Sequence, residues 1–93
     1  MTKTLLPSAA FLRASRKLTR KKPALQDDIK NTLQLLGKDA FIPALKTHKL
    51  TGVLAGSWAC SAGYDVRIVF SFVKHEGKQA ILLEDIGTHE DVY

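Results

Sequence analysis

A chain of 93 residues, 45% hydrophobic and 25% charged, is long enough for one domain and too short for two separate cores. This composition excludes a disordered chain. The single cysteine, Cys60, excludes an internal disulfide and so favours a reducing, cytoplasmic setting. No apolar run approaches the roughly 20 residues that cross a bilayer, so we expect no membrane partner.

Positive charge is concentrated in the first half of the chain. Residues 1–50 contain eleven Lys or Arg against three Asp or Glu, and six of the ten residues 13–22 are basic. Such a stripe is typical of proteins that meet phosphate backbones, although a solvated helix face explains it equally well. The candidate RNA- or ribosome-binding residues are Arg13, Arg16, Lys17, Arg20, Lys21, Lys22, Lys46 and Lys49.

The N-terminal half predicts one short strand followed by two helices. The strand covers residues 4–6 and ends at Pro7, and Ser8 is a suitable N-cap for the first helix. Pro23 suits the first turn of the second helix, and Gly37 is expected to end it. The stretch before Asp27 has no acidic residue and could imitate an organellar transit peptide, but a strand and a helix account for it better. The expected buried stripes are Phe11, Ala14, Ser15 and Leu18, then Leu25, Ile29, Leu33 and Leu36.

The C-terminal half predicts strands. Residues 39–52 have the character of an extended loop, and strands follow at residues 56–62, 65–74 and 79–86, with a turn at residues 75–78. Consecutive strands with short connections pair antiparallel, and two helices with a short link form an antiparallel hairpin. The predicted architecture is therefore α+β: a short N-terminal strand and a helical hairpin packed on a small, twisted, mainly antiparallel sheet, as one domain over residues 1–93.

Alternation along the central strand separates a core face from a second face. Val66, Ile68, Phe70 and Phe72 share the apolar face, whereas Asp65, Arg67, Val69 and Ser71 share the other. Asp65 and Arg67 therefore project together from one end of this strand. An exposed ion pair between them, of about 0–1 kcal/mol, is the plainest explanation of that pattern.

Two loop histidines add groups that suit RNA cleavage. His48 lies between two lysines, and His89 follows the last strand in the tail GTHEDVY. Cleavage without a metal requires a base for the 2′-hydroxyl, an acid for the 5′-oxygen and positive charge beside the phosphate. Histidine can move protons near neutral pH, and the donor fork of Arg67 matches phosphate.

Other interpretations of these residues remain open. His48, Asp65 and His89 could form a metal site with two histidines and one carboxylate, although no local spacing supports it. His75 lies in a hairpin turn, where solvent exposure explains it. Cys60 is expected to be a buried apolar residue and not a nucleophile, and Trp58 to pack in the core or at the sheet edge.

Three segments in order, KTHKLTG, SAGYDVRIVF and IGTHEDVY, resemble the RelE/ParE toxin superfamily, and within it the YafQ and RelE/StbE-type mRNA interferases. The resemblance extends from the first strand to Tyr93. It implies a metal-independent, ribosome-dependent endoribonuclease that needs no cofactor and forms a 2′,3′-cyclic phosphate. It also implies three partners: a cognate antitoxin that wraps the toxin and represses the shared operon, the ribosome and mRNA.

The resemblance also implies a set of catalytic residues. His48, Asp65 and His89 match the loop histidine, strand carboxylate and C-terminal histidine of YafQ-like toxins. Arg67 matches an arginine that contacts the cleaved phosphate in RelE, and Tyr93 matches a catalytic tyrosine. One of His48 and Asp65 would then accept the 2′-hydroxyl proton, and His89 would protonate the leaving oxygen.

One position departs from the pattern of the resemblance. Where YafQ-like enzymes carry a further histidine, this chain has Ser61, so the proton-transfer roles are expected to be distributed differently here. Two other functions remain open. A ParE-like gyrase inhibitor would share the fold without needing the histidine, aspartate and arginine set, and an inactive RNA-binding module would use only the basic stripe.

Overall fold

The computed structural model describes residues 3–63 and 65–88. Within these residues, two helices, α1 (Ala9–Lys21) and α2 (Leu25–Lys38), pack on a five-stranded sheet. The strands are β1 (Thr4–Pro7), β2 (His48–Lys49), β3 (Trp58–Ser61), β4 (Val66–His75) and β5 (Lys78–Thr88). They lie in the order β1-β5-β4-β3-β2, and β1 is parallel to β5 while the other pairs are antiparallel. The α+β prediction is confirmed.

Ser8 links the start of α1 to the sheet. Its side chain accepts a hydrogen bond from the backbone N–H of Phe11 at 3.0 Å, which is the predicted N-cap. Its hydroxyl also donates to the Glu84 carbonyl at 3.1 Å, and its backbone N–H donates to the Leu83 carbonyl at 2.9 Å. One residue therefore satisfies a helix terminus and ties α1 to β5.

The predicted boundaries of α2 were wrong at both ends. The helix begins at Leu25, because Pro23 and Ala24 form a turn ahead of it, and it continues to Lys38. Gly37 does not end the helix, because it lacks the positive φ that such an ending requires. Instead Gly37 is buried, and its carbonyl accepts a hydrogen bond from the Lys3 N–H at 2.7 Å.

The hydrophobic core lies between the helices and one face of the sheet. Phe70, Leu36, Leu45, Ile68, Ile81, Leu83 and Cys60 are the largest fully buried side chains. The predicted apolar faces of both helices and of β4 contribute to this core. Ala14, Leu25, Leu33 and Phe72 are only partly buried at its edge, and Ser15, expected in the buried stripe, is half-buried outside the core. No helix of the described residues is long and apolar enough to span a membrane.

The prediction of an unpaired loop over residues 39–52 was wrong in part. Two single 3₁₀ turns, Pro43–Leu45 and Gly52–Leu54, flank β2, which pairs with β3 and extends the sheet. The Thr47 hydroxyl donates to the Ala40 carbonyl and so holds the segment before β2 against the chain. A two-residue strand is too short to produce a periodic pattern, so periodicity does not predict it.

The strand boundaries also differ from those predicted. β3 is shorter, because Gly56 has φ +97° and belongs to the preceding turn. β4 begins one residue later, at Val66, which leaves Asp65 outside the strand. Between β4 and β5 the register shifts at a bulge: Val69 lies opposite Asp85 and Phe70 opposite Leu83, so Glu84 is the extra residue.

Candidate functional site

The sheet register gathers polar side chains on the face away from the core. Ser61 lies opposite Arg67, and Arg67 lies opposite Gly87. A second set of opposed residues crosses the sheet beside this one: His48 lies opposite Ala59, Ala59 opposite Val69, and Val69 opposite Asp85. Directly opposed residues in antiparallel strands share a face of the sheet. We call this surface, defined by His48, Ser61, Arg67 and Asp85, the polar face.

Arg67 is the half-buried cation at the centre of the polar face. One of its terminal nitrogens, Nη1, donates to the Val66 carbonyl at 3.1 Å. Because a guanidinium carries five N–H donors, this bond orients the group and leaves most of its donors for a ligand. A fork held in this way matches the oxygens of a phosphate.

His48 is exposed on β2, at the edge of the sheet. Its Nδ1 lies 3.0 Å from the Lys46 carbonyl. A carbonyl can only accept, so this contact places the proton of the neutral ring on Nδ1 and the lone pair on Nε2. Lys46 itself has a left-handed backbone, with φ 53°, which turns its carbonyl toward the ring. The arrangement suits Nε2 for accepting a proton.

Asp65 is exposed just before β4, after the left-handed Gly63. Within the described residues no ion pair joins it to Arg67, so the ion-pair explanation of this pattern was wrong. The reason is that Asp65 lies in a bend, where strand alternation no longer aligns it with Arg67. The two other predicted catalytic residues, His89 and Tyr93, lie outside the described residues.

The predicted nucleic-acid-binding side chains are all exposed, those on α1 and at its end as well as Lys46 and Lys49. Lys17, Lys21 and Lys22 line a cavity of about 540 Å³ together with Asp85, Gly87 and Thr88. The basic end of α1 therefore borders the end of β5 that leads toward residue 89. The sequence places Lys17 on a helix and Lys21 and Lys22 in the connection after it; in the structure Lys21 is the last residue of α1, and the packing of α1 beside β5 brings all three to this end of the sheet.

Two further polar residues of this region were missed by sequence reasoning. Ser57 donates from its hydroxyl to Glu84 Oε1 at 2.8 Å. Because β4 lies between β3 and β5, this hydrogen bond passes over β4. The carboxylate of Glu84 in the otherwise apolar segment QAILLEDI could have indicated a functional or structural role. The local sequence does not predict the bulge that positions Glu84.

Cys60 and His75 behave as expected. Cys60 is fully buried, and burial raises the pKa of its thiol from 9.0 to about 12, although the nearby charge of Arg67 partly opposes the shift. A thiol with so high a pKa is not a nucleophile near neutral pH. His75 is exposed in the β4–β5 hairpin, 3.9 Å from Glu76 Oε1.

The described residues contain no group of three or more His, Cys, Asp or Glu side chains that could hold a metal ion. The metal set considered from the sequence includes His89, which lies outside the described residues. That alternative therefore stays untested.

Solved structures with the same fold include toxins and toxin-antitoxin complexes. YafQ from E. coli strain BL21(DE3) superposes with a TM-score of 0.79 at 17% identity, covering 98% of each chain. A YoeB/ParE toxin from Agrobacterium tumefaciens gives a TM-score of 0.75 at 16% identity, covering 92% of this chain and 98% of that one. The toxin-antitoxin complex RelBE2 from Mycobacterium tuberculosis gives 0.74 at 13% identity, covering 96% and 100%. No protein-family model and no curated protein sequence matches the chain.

The fold is therefore that of the RelE/ParE-like toxins, as the sequence resemblance predicted. At these identities the likeness is one of fold, so the activity has to be argued from the side chains of this chain.

Proposed function

We propose that this protein is the toxin of a type II toxin-antitoxin system and cuts mRNA on the ribosome. The observation that carries the proposal is the polar face, where the register of four strands places His48 and Arg67 on one side of the sheet. The basic end of α1 borders the same sheet at the end of β5. A base and a phosphate-binding fork are two of the groups that RNA cleavage requires besides an acid, and a positively charged approach favours binding of the RNA backbone.

The reaction is an attack of the ribose 2′-oxygen on the adjacent phosphorus. The new P–O2′ bond forms as the P–O5′ bond breaks, which yields a 2′,3′-cyclic phosphate and a free 5′-hydroxyl. His48 Nε2 accepts the 2′-hydroxyl proton, because its Nδ1 is occupied with the Lys46 carbonyl. Arg67 binds the phosphoryl oxygens as their negative charge increases. The chemistry needs no resident cofactor.

The remaining roles belong to residues of the tail and of the β3–β4 loop. His89 protonates the leaving 5′-oxygen, and Tyr93 stacks on or orients a base. Asp65, in the bend before β4, is the alternative acceptor of the 2′-hydroxyl proton. Ser61, directly opposite Arg67, leaves the proton transfers to the histidines because a neutral hydroxyl is a poor acid and base near pH 7.

Two kinds of partner follow from the proposal. The exposed cations of α1 contact ribosomal RNA, and they also attract an acidic antitoxin. RelBE2 of M. tuberculosis, which has this fold, is a toxin-antitoxin complex. We expect the cognate antitoxin of this chain to cover the polar face and so block access of RNA to Arg67.

The decisive experiment uses purified protein with ribosomes programmed with a defined mRNA. The wild type should cut in the decoding site and leave a 2′,3′-cyclic phosphate, detected by its resistance to ligation at the 3′-hydroxyl until the ring is opened and the phosphate is removed. A single 2′-deoxy substitution at the cleaved nucleotide should abolish the cut, because the nucleophile is then missing. His48→Gln should reduce cleavage strongly, whereas His75→Gln, an exposed histidine outside the polar face, serves as the matched control.

The test also separates the other functions that share the fold. Cleavage that persists on the 2′-deoxy substrate would contradict the mechanism. Intact mRNA together with loss of supercoiling in a DNA gyrase assay would replace the proposal with gyrase inhibition. RNA binding without product, unaffected by His48→Gln, would reduce the protein to a binding module.

A further inference from the structure

An aromatic cluster lies on the opposite side of the sheet from Arg67. Phe41 stacks on Phe72 with ring centroids 6.1 Å apart and an interplanar angle of 25°. Trp58 meets both rings nearly edge-on, at 5.4 Å from Phe41 and 5.7 Å from Phe72. Phe72 in turn contacts the fully buried Phe70 at 5.6 Å. The cluster thus extends from the core outward and ends at Phe41.

Phe41 is held in place although it is largely in solvent. Phe41 is 56% exposed, which makes it one of the most exposed large apolar residues that the structure describes. Its backbone N–H donates to Asp39 Oδ1 at 2.9 Å, and the adjacent Ala40 carbonyl accepts from the Thr47 hydroxyl. The ring is thus positioned by its aromatic neighbours while more than half of the residue's surface stays open to a ligand.

A cation lies beside the rings. Lys49 lies opposite Trp58 in the β2–β3 pair, and its Nζ is 5.4 Å from the Trp58 ring centroid. No carboxylate forms an ion pair with Lys49 in the part of the chain that the structure describes. The carboxylate of Asp39 accepts the Phe41 N–H. The surface therefore combines an exposed aromatic ring with a positive charge.

We propose that Phe41 is a stacking platform for an unpaired RNA base and that Lys49 binds the neighbouring phosphate. Single-stranded nucleic acid is bound in this way by aromatic rings beside basic side chains, with little dependence on sequence. His48 and Lys49 are consecutive in the edge strand β2, so their side chains leave opposite faces of the sheet. An RNA strand that crosses this edge meets His48 on one face and the platform on the other.

The inference rests on RNA as the ligand of the proposed function but on none of the cleavage residues. An apolar contact with a protein is the alternative that the test must separate. Such a contact would need only apolar area at position 41, which a leucine supplies. A base needs a flat ring, which Phe41→Tyr keeps and Phe41→Leu removes.

The experiment titrates the protein with a short single-stranded oligonucleotide whose riboses are 2′-O-methylated, so that it cannot be cut. Trp58 is the only tryptophan of the chain, and its fluorescence reports a base that stacks in the cluster. Anisotropy of the labelled oligonucleotide gives the affinity. Val53→Ser is the matched control, because Val53 is also apolar and fully exposed but lies in the 3₁₀ turn Gly52–Leu54.

We expect the wild type, Phe41→Tyr and Val53→Ser to bind with quenching of Trp58. Phe41→Leu should lose the quenching and bind about tenfold more weakly, and Lys49→Gln should weaken binding and lower its salt dependence. Equal affinity and equal quenching for Phe41→Leu and the wild type would overturn the inference. So would binding that Phe41→Leu and Val53→Ser weaken to the same extent. Loss of mRNA cleavage with this binding intact would contradict the proposed function and leave the platform standing.

Discussion

Arg67→Ala tests the centre of the polar face most directly. The guanidinium is half-buried and oriented by one hydrogen bond to the Val66 carbonyl, so it meets a phosphate without reorganising. Removing one such preorganised group typically lowers kcat by about 10²–10³, or about 2.7–4 kcal/mol of transition-state stabilisation. Among the described residues the same substitution removes one hydrogen bond, of about 0.5–1.5 kcal/mol. Activity should therefore fall far more than stability.

Arg67→Lys refines this prediction. Lysine keeps the charge but lacks the planar fork, so cleavage should recover only in part. Single-turnover cleavage of ribosome-bound mRNA gives the rate, and thermal unfolding by circular dichroism gives the stability. Ser71→Ala is the matched control, since Ser71 is half-buried on the same face of β4, four residues further along the strand.

If folded Arg67→Ala cut mRNA within about threefold of the wild-type rate, less than about 1 kcal/mol of the barrier would depend on the guanidinium. Arg67 would then be a structural residue of β4. Equal losses for Arg67→Ala and Ser71→Ala would likewise point to a damaged face and not to a lost phosphate contact.

Three further predictions concern the fold. Leu36→Ala should lower the free energy of unfolding by about 2–5 kcal/mol in urea, because Leu36 is fully buried; an unchanged midpoint would contradict its place in the core. Ser57→Ala should cost about 0.5–1.5 kcal/mol through loss of the hydrogen bond to Glu84, and Glu84→Gln should reduce that cost in a double-mutant cycle. Stability should fall as pH rises from about 9 toward 12, because the unfolded thiol of Cys60 ionises before the buried one; Cys60→Ala should lose this component.

Local patterns predicted most of the secondary structure and core. Ser8 capped α1 as expected, because an N-cap depends only on the residues of the first turn. Ile68 and Phe70 lie in the core because alternation along a strand is a local property. The ends of α2 were less predictable: Gly37 became an interior residue because its carbonyl meets Lys3, 34 positions away.

The candidate site was also predicted only in part from the sequence. The sequence marked His48 and Arg67 by residue type and by resemblance, and it marked the cations of α1 by charge. It could not place Asp85 or Glu84, because a bulge in β5 depends on how that strand pairs with β4. It also placed Asp65 in a strand, where the structure has a bend.

Local sequence patterns specify most of the helical and extended segments, the side chains that pack in the core, and the residue types that are available for chemistry. These properties depend on neighbours a few positions away along the chain. Only the tertiary structure decided that β2 joins the sheet edge, that His48 shares a face with Arg67, and that Lys49 beside it lies against Trp58. The physical reason is that strand register is set by hydrogen bonds between distant segments, and a shift of one residue would exchange the two faces.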